Sequence, residues 1–276
     1  MKRIIISDSS CDIWELEGVE FRTAPLTIST DERIYVDDET MDIHDMLDYL
    51  AAYKGRSYTA CPGVEDWLSA FGDGDEIFVT ALTSGLSGTY NSALTAKEMY
   101  LEKHPNSKIL VIDTLSTSAE QLLIVEKMRE LVMADKSYDE ICYEICAYQK
   151  KTRLFFAFKS LHNFAQNGRV PKILAQAIGV LGISIIGTAS TKGTVEPIAK
   201  SRGKKAVIAE VIKQLRSAGY HGGKLRVCHV ENEELAQDFI SAVKKIYPDA
   251  EIKMYPSRGL VAYYGERGGL LVGCEC

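Results

Sequence analysis

The amino-acid sequence predicts an α/β protein of two domains, with a parallel sheet in residues 1–150 and a mixed sheet in residues 151–276. Short apolar runs alternate with helical patterns through the first half, which is typical of a parallel sheet joined by crossover helices. This alternation of strands and helices changes after Lys151, where strand-like segments also follow one another directly. A chain of 276 residues allows one large domain or two smaller ones, and the change of pattern after Lys151 places a domain boundary near residue 150.

In the first half, apolar runs bounded by polar or turn residues predict four strands: Arg3–Ser7, Phe21–Ser29, Glu76–Leu82 and Lys108–Asp113. Segments with a helical repeat predict five helices: Asp42–Tyr53, Gly63–Phe71, Thr89–His104, Ser116–Met133 and Ser137–Lys150. Pro62 supports the start of the second helix, because proline is favoured near a helix N-terminus. The last helix carries four residues on one face: Ile141, Cys142, Ile145 and Cys146.

In the second half, the same criteria predict five strands: Arg153–Phe158, Gly182–Thr188, Thr194–Lys200, Lys224–Val230 and Glu251–Tyr255. They also predict four helices: Leu161–Gln166, Lys172–Ile178, Lys204–Ser217 and Asn232–Tyr247. Two apolar segments, Leu260–Tyr264 and Leu270–Cys274, close the chain.

The composition excludes several classes of protein. With 46% hydrophobic and 25% charged residues, the chain is globular and neither disordered nor fibrous. Its net charge is −6, so we expect no nucleic-acid partner, because phosphate binding requires a basic face. The longest apolar-rich stretch, residues 173–187, has about 15 residues, whereas a membrane-spanning helix needs about 20. The three isoleucines after Arg3 are too few for an export signal, so we expect a cytoplasmic location.

The seven cysteines argue against a disulfide scaffold, because the chain is long and no export signal is visible. Cys142 and Cys146 are four residues apart. Cys274 and Cys276 are two apart, and neither spacing matches the Cys-x-x-Cys of a zinc site. No histidine pair completes a ligand set, so we expect no metal and predict buried or incidental thiols.

Small hydroxyl residues follow three of the predicted N-terminal strands, in the loops Ser7–Asp12, Thr83–Thr89 and Asp113–Ser118. Ligands of open α/β sheets bind at the carboxyl ends of the strands, where these loops would meet. Hydroxyl groups and free N–H groups at a helix start favour an anion, although serine and threonine also serve as ordinary helix caps. Both interpretations stay open at this point.

Motifs for catalysis are sparse. The chain has neither a Gly-x-x-x-x-Gly-Lys-Ser phosphate loop nor a Gly-x-Gly-x-x-Gly motif. Gly85-Leu86-Ser87-Gly88 is one residue short of a Gly-x-Ser-x-Gly nucleophile elbow. None of the five histidines lies in an informative motif, so the loops favour binding over turnover and we assign no catalytic residue. A hydrolase or phosphoryl-transfer enzyme that uses Ser84 or Ser87 is the alternative.

Four motifs occur in order along the chain: Asp8-Ser9-Ser10-Cys11-Asp12, Thr59-Ala60-Cys61-Pro62, residues 82–93 and residues 161–170. The third, Leu-Thr-Ser-Gly-Leu-Ser-Gly-Thr-Tyr-Asn-Ser-Ala, is the most specific. Together with Arg202-Gly203 they resemble the DegV family, the bacterial fatty-acid-binding proteins that present the lipid to fatty acid kinase. The corresponding family motifs are Asp-Ser-(Thr/Ser)-x-Asp, Thr-Ser-Gln-Pro, Ser-Ser-x-Leu-Ser-Gly-Thr-Tyr-Gln-Ser-Ala and Leu-x-x-x-x-x-Gly-Gly-Arg-Ile. The resemblance covers essentially the whole chain.

The resemblance implies an N-terminal α/β/α domain of three layers around a parallel sheet, and a C-terminal α/β domain with a mixed sheet. It implies a long-chain fatty acid between the domains, with its carboxylate at Thr59 and Ser84 and its acyl chain in an apolar C-terminal pocket. A separate ATP-dependent fatty acid kinase would convert the bound acid to an acyl phosphate, so the carrier needs no cofactor. The expected ligand-binding residues are Thr59, Ser84, Ser10, Ser87, Gly88, Arg169 and Tyr263.

The sequence departs from the family motifs at head-group positions. Ala60 and Cys61 replace a Ser-Gln pair, and Tyr263 or Tyr264 stands where the family has a histidine. A phenol can donate a hydrogen bond to a carboxylate, but it carries no positive charge at neutral pH. These changes keep another ligand class open, namely a different amphiphile such as an isoprenoid or sterol-like acid.

Apolar residues after Lys172 are candidates for the acyl-chain pocket, and ordinary core packing is the competing explanation: Ile173, Leu174, Ile178, Val180, Leu181, Ile183, Ile185 and Ile186. Burial of about 15 methylenes at roughly 0.8 kcal/mol each would contribute on the order of 12 kcal/mol, so the tail would dominate affinity.

Basic residues form a candidate docking patch for the kinase, with a solvated face as the other interpretation: Arg169, Lys172, Arg202, Lys204 and Lys205. We expect no stable membrane insertion, and a transient membrane contact stays open.

Overall fold

The computed structural model describes residues 1–173 and 182–276, which form three β-sheets. A four-stranded parallel sheet comes from the first half of the chain, and a six-stranded mixed sheet comes from the second half. A small three-stranded antiparallel sheet lies apart from both. The predicted α/β class, with its parallel and mixed sheets, is therefore confirmed, and the division at residue 150 stays a prediction.

The parallel sheet has the order β2-β1-β6-β7. Its strands are β1 (Arg3–Asp8), β2 (Glu20–Ala24), β6 (Glu76–Ala81) and β7 (Lys108–Asp113). The isoleucines of β1 are buried on both faces, as expected for a central parallel strand. All strands point the same way, so the loops after β1, β6 and β7 leave the sheet at one edge.

Two helices cover each face of this sheet. Helices α2 (Val64–Phe71) and α3 (Thr89–Lys103) pack on one face, around Ile4 and Ile6. Helices α4 (Ser118–Met133) and α5 (Tyr138–Gln149) pack on the other face. This arrangement is the three-layer α/β/α structure that the resemblance implies.

The mixed sheet has the order β10-β9-β8-β13-β11-β12. Its strands are β8 (Thr152–Phe158), β9 (Ile183–Ala189), β10 (Val195–Arg202), β11 (Lys224–His229), β12 (Glu251–Pro256) and β13 (Leu270–Glu275). Helices α7 (Lys204–Ser217) and α8 (Glu233–Ile246) cover its outer face with apolar side chains. The inner face packs against α4 and contributes side chains to a second apolar cluster.

Helix α4 lies against both large sheets. A Cβ atom at Gly273 of β13 would come within 2.3 Å of the Ala119 carbonyl oxygen, so only glycine permits this approach. Nearby, Arg226 of β11 is fully buried and pairs with Glu126 of α4, with Nε 2.7 Å from Oε2. This pair ties the mixed sheet to the N-terminal layers.

The small sheet corrects one prediction. The segment Phe21–Ser29, predicted as one strand, forms β2 and a separate strand β3 (Thr27–Ser29) in a different sheet. Pro25 separates them, because its nitrogen cannot donate to a ladder. Strands β4 (Ile34–Val36) and β5 (Tyr58–Ala60) flank β3.

Helices α1 (Ile43–Ala52) and α9 (Gly259–Gly265) pack beside the small sheet. The segment Leu260–Tyr264, left unassigned by the sequence analysis, lies in α9. Helix α6 (His162–Gln166) follows β8, and the predicted helix Lys172–Ile178 lies outside the described residues beyond Ile173. No helix within residues 1–173 and 182–276 is both long and apolar enough to cross a membrane.

Candidate functional site

A cavity of about 270 Å³ lies where the carboxyl ends of the parallel strands face the inner side of the mixed sheet. Leu82 and Thr83 follow β6, and Thr117 follows β7, so two of the predicted loops contribute to the cavity wall. Its volume is slightly below the roughly 300–1,000 Å³ range of small-molecule sites. The predicted position at the strand ends agrees with this structure.

Aromatic and aliphatic side chains form most of the wall. Leu154, Phe156 and Phe158 alternate along β8, so all three point from the same face of the mixed sheet. The rings of Phe156 and Phe158 are stacked with centroids 4.5 Å apart. Phe164 of α6 continues this aromatic wall, with its ring centroid 6.1 Å from that of Phe158.

Gly187 sets the position of the Phe156 ring. The two residues pair across β8 and β9, and a Cβ atom at Gly187 would lie 2.2 Å from Cζ of Phe156. The ring therefore occupies the space that any larger residue at position 187 would need. Because the ring also lines the cavity, a side chain at position 187 would displace part of the cavity wall.

Two hydroxyl groups form the polar end of the cavity. Thr59 lies on β5 and Tyr264 lies on α9, and their side-chain oxygens are 2.8 Å apart. The Tyr264 ring packs against Phe164 with centroids 4.5 Å apart. Burial raises the pKa of Tyr264 above its ordinary value, so the phenol keeps its proton and remains a donor at neutral pH.

The start of α3 opens on the same cavity. Gly88 occupies the N-cap position and has no side chain to cap the helix, the Ser87 hydroxyl accepts from the Thr89 N–H at 3.3 Å, and both Ser87 and Gly88 line the cavity. The first N–H groups of a helix have no partner within the helix, and the helix dipole favours an anion there. The Ser87 hydroxyl lies 2.8 Å from the Thr89 hydroxyl, which is not a general base.

Arg169 is the one charged side chain among the described residues that line the cavity. Its Nε donates to the Leu86 carbonyl oxygen at 3.1 Å, and its Nη1 donates to the Asn167 carbonyl oxygen at 2.5 Å. These two bonds fix the guanidinium beside the loop that precedes α3. The cavity thus has a positive charge and no carboxylate in its described lining.

Thr117 adds a further polar atom to the wall. Its Oγ1 is buried and has no hydrogen-bond partner among the described residues. Buried hydroxyl groups are normally satisfied, so a polar group or water in the cavity is the expected partner.

Two buried carboxylates hold the helix that carries Tyr264. Asp12 accepts from the Arg258 N–H at 2.7 Å, and Asp37 accepts from the Leu260 N–H at 2.8 Å. Burial raises the pKa of Asp12 to about 7 and that of Asp37 to about 6. Both residues therefore act as caps of α9, because each satisfies a free N–H group at the start of this helix.

The structure brings four of the seven predicted ligand-binding residues to the cavity: Thr59, Ser87, Gly88 and Arg169. The other three lie elsewhere. Ser84 is exposed, with its N–H bonded to Asp113, and Ser10 is buried with its hydroxyl bonded to Asp8. The Tyr263 hydroxyl lies 2.7 Å from that of Ser57, so Tyr264 is the tyrosine of this cavity.

Sequence reasoning missed the aromatic wall. The residues proposed for the acyl pocket do not line the cavity where the structure describes them: Ile173, Ile183, Ile185 and Ile186. Ile185 and Ile186 are fully buried in the cores on the two sides of the mixed sheet. The remaining candidates lie outside the described residues: Leu174, Ile178, Val180 and Leu181. The sequence signal for the wall was the occurrence of large apolar residues at every second position of β8, namely Leu154, Phe156 and Phe158.

The candidate docking patch is dispersed. Lys172 and Arg56 line a surface depression beside α6, whereas Lys204 pairs with Glu234 and Asp238 of α8 at 2.8 and 2.5 Å. Both Arg202 and Lys205 are exposed near the junction of β10 and α7. The carboxylates beside Lys204 neutralise its charge, so Arg169 and Lys172 are better placed than Lys204 to bind an acidic partner.

Comparisons with known proteins agree with this architecture. Residues 2–268 match the model of the DegV family, described as "Uncharacterised protein, DegV family". A DegV family protein from Eubacterium eligens, loaded with heptadecanoic acid, is 52% identical over 99% of each chain, with a TM-score of 0.97. The Fatty Acid Kinase (Fak) B3 protein of Streptococcus pneumoniae, loaded with linoleic acid, is 39% identical, with a TM-score of 0.98 over 100% of this chain and 99% of that one.

A curated relative gives the same assignment. The "DegV domain-containing protein" of Streptococcus gordonii is 40% identical over 275 residues, which is 98% of each chain. From the family model, this relative and the two solved structures, we conclude that the chain belongs to the DegV family.

Proposed function

We propose that this protein binds a long-chain fatty acid, with the carboxylate at Thr59, Tyr264 and the start of α3. The acyl chain would lie along the aromatic wall formed by Phe156, Phe158 and Phe164. The observation that carries the proposal is the division of one cavity into an apolar wall and an end with hydroxyl donors and a cation. The fatty acids bound to the two similar proteins described above support it.

The energetics suit an amphiphilic ligand. Burial of about 15 methylenes contributes a gross value on the order of 12 kcal/mol, at roughly 0.8 kcal/mol each. Each hydrogen bond to the charged head group contributes about 1.5–3 kcal/mol. The tail therefore supplies most of the affinity, and the hydroxyl groups of Thr59 and Tyr264 fix the position of the carboxylate.

We also propose that the bound acid is presented to a separate ATP-dependent kinase, which forms the acyl phosphate. The name of the similar Streptococcus pneumoniae protein supports this role. Arg169 lies beside the head-group end, where its charge would stabilise a phosphoryl group on the carboxylate. The chain itself would then hold and position the acid, and the kinase would supply the catalytic groups.

Calorimetric titration of the delipidated protein tests the binding proposal. Hexadecanoic acid is expected to bind at one site per chain. Hexadecanol, which has the same tail but no carboxylate, is expected to bind at least tenfold more weakly. Absence of binding by the acid, or equal affinity for the two compounds, would contradict the proposed head-group site.

A reconstituted reaction tests the presentation proposal. The fatty-acid-loaded protein is mixed with a fatty acid kinase catalytic subunit and ATP, and acyl phosphate is trapped with hydroxylamine. We expect hydroxamate with the wild-type protein and much less with Arg169→Ala that retains its bound acid. Equal yields from both proteins would exclude the role proposed for Arg169.

A further inference from the structure

Two thiols meet at the end of β13, away from the cavity. Cys274 is fully buried in the core of the mixed sheet, and Cys276 follows the strand and is partly exposed. Their sulfur atoms are only 3.3 Å apart. No other pair of thiols in residues 1–173 and 182–276 makes a sulfur–sulfur hydrogen bond, which makes this pair distinct among the cysteines.

The surroundings of the two thiols differ, and they favour ionisation of Cys276. The Cys274 and Cys276 sulfur atoms are in hydrogen-bond contact and Arg153 lies nearby, and both effects lower the pKa of Cys276. The Cys276 N–H donates to the Lys151 carbonyl oxygen at 2.6 Å, which holds this residue against β8. A partly exposed thiol with a lowered pKa and a second thiol beside it is typical of redox-sensitive cysteines.

We propose that Cys274 and Cys276 form a peroxide-sensitive dithiol that converts reversibly to an intramolecular disulfide. The Cys276 thiolate attacks one oxygen of hydrogen peroxide and breaks the O–O bond, which gives a sulfenic acid and hydroxide. The Cys274 sulfur then attacks the Cys276 sulfur, and the sulfenic oxygen leaves as water with the thiol proton. In total, two thiols are oxidised to one disulfide and one peroxide is reduced to two waters.

The backbone permits the bond but does not favour it strongly. Two residues along a strand span about 6.6 Å between Cα atoms, which is near the upper end of the usual disulfide range of about 4.4–6.8 Å. Strained disulfides are reduced more readily than unstrained ones. The pair is therefore suited to reversible oxidation rather than to a permanent crosslink.

Peptide mass spectrometry of the full chain tests the proposal. The folded protein is treated with a small excess of hydrogen peroxide, alkylated and digested with trypsin, which releases residues 268–276 after Arg267. We expect this peptide to escape alkylation and to be lighter than the reduced form by two hydrogen atoms. Dithiothreitol should restore both thiols.

Two variants separate this pair from other thiols. Cys61→Ser removes an exposed thiol that lines the cavity, and it should leave the oxidised peptide unchanged. Cys276→Ser should abolish it, with a melting temperature measured to confirm folding. Sulfinic acid on Cys276 alone, unchanged thiols in peptide 268–276, or the same product in the Cys276→Ser protein would overturn the proposal.

The test is independent of the proposed lipid function. Leu271 is the residue of β13 that lines the cavity, and Cys274 is three residues further along the strand, or roughly 10 Å away. The oxidised protein should therefore retain its bound fatty acid.

Discussion

Replacement of Tyr264 by phenylalanine removes one hydroxyl group from the polar end of the cavity and leaves the ring in place. The ring remains packed against Phe164, so the cavity should keep its shape. What is lost is a donor that lies 2.8 Å from the Thr59 hydroxyl and faces the expected carboxylate. The change isolates the head-group contribution from the burial of the acyl chain.

The expected loss of affinity follows from that single contact. A hydrogen bond to a charged group contributes about 1.5–3 kcal/mol, and each 1.4 kcal/mol corresponds to about a tenfold change in Kd. Tyr264→Phe should therefore raise the Kd for hexadecanoic acid roughly 10- to 100-fold. Binding should still be measurable, because the tail contributes a gross value on the order of 12 kcal/mol.

Displacement of a fluorescent polyene fatty acid from the delipidated proteins measures this change. Tyr263→Phe is the matched control, because its hydroxyl bonds to Ser57 and Asn167 and lies outside the cavity. It should lower stability and leave the Kd within about twofold of wild type. An unchanged Kd in Tyr264→Phe, or a larger loss in Tyr263→Phe, would refute the assignment of the head group to Tyr264.

Three further predictions concern stability, pH dependence and ligand size. Glu126→Ala removes the buried partner of Arg226, leaves only the half-exposed Glu251, and should lower the free energy of unfolding by up to about 3–5 kcal/mol in urea titrations. Asp12 has its pKa raised to about 7 in the folded protein, against an ordinary value of 3.8. The folded state therefore retains a proton that the unfolded chain releases above about pH 4, so the melting temperature should fall as the pH rises from 5 to 8. Asp12→Asn should reduce that slope and leave the part that is due to Asp37, whose pKa is raised to about 6. Gly187→Ala should push the Phe156 ring into the cavity and shift the bound fatty acids to shorter chains.

Controls make each of these outcomes specific. Glu251→Ala removes a half-exposed partner of Arg226 and should cost no more than about 1 kcal/mol, so equal losses from the two glutamates would contradict the role of burial. A pH slope in Asp12→Asn equal to that of the wild type would contradict the assignment of the titration to Asp12. A Gly187→Ala protein with the wild-type range of chain lengths would show that Phe156 does not limit the cavity.

Much of the fold was predictable because its strands and helices carry local signals. The apolar strands β1, β6 and β7 and the helices between them follow from runs and repeats in the sequence. Strands β4 and β5 were not predicted, since each has three residues and two of those three are exposed. Helix α9 lacks a local start signal, because its caps, Asp12 and Asp37, precede their partners by 246 and 223 residues.

The site was predicted less completely than the fold, because its residues come from segments that are far apart in the sequence. Motif resemblance pointed to Thr59 and the loop before α3, which do line the cavity. It did not distinguish Tyr263 from Tyr264, because the two differ by the direction in which a short helix presents them. The two rings pack in a T shape with centroids 4.9 Å apart. The Tyr263 hydroxyl therefore contacts Ser57, and the Tyr264 hydroxyl contacts Thr59. Only the tertiary structure determines that choice.

Mass spectrometry of the organic extract from the purified, folded protein tests the proposed function most directly. The account predicts a long-chain fatty acid at close to one molecule per chain, with reduced retention in Tyr264→Phe and wild-type retention in Tyr263→Phe. An extract without fatty acid, from a protein that also takes up no added oleate, would contradict it.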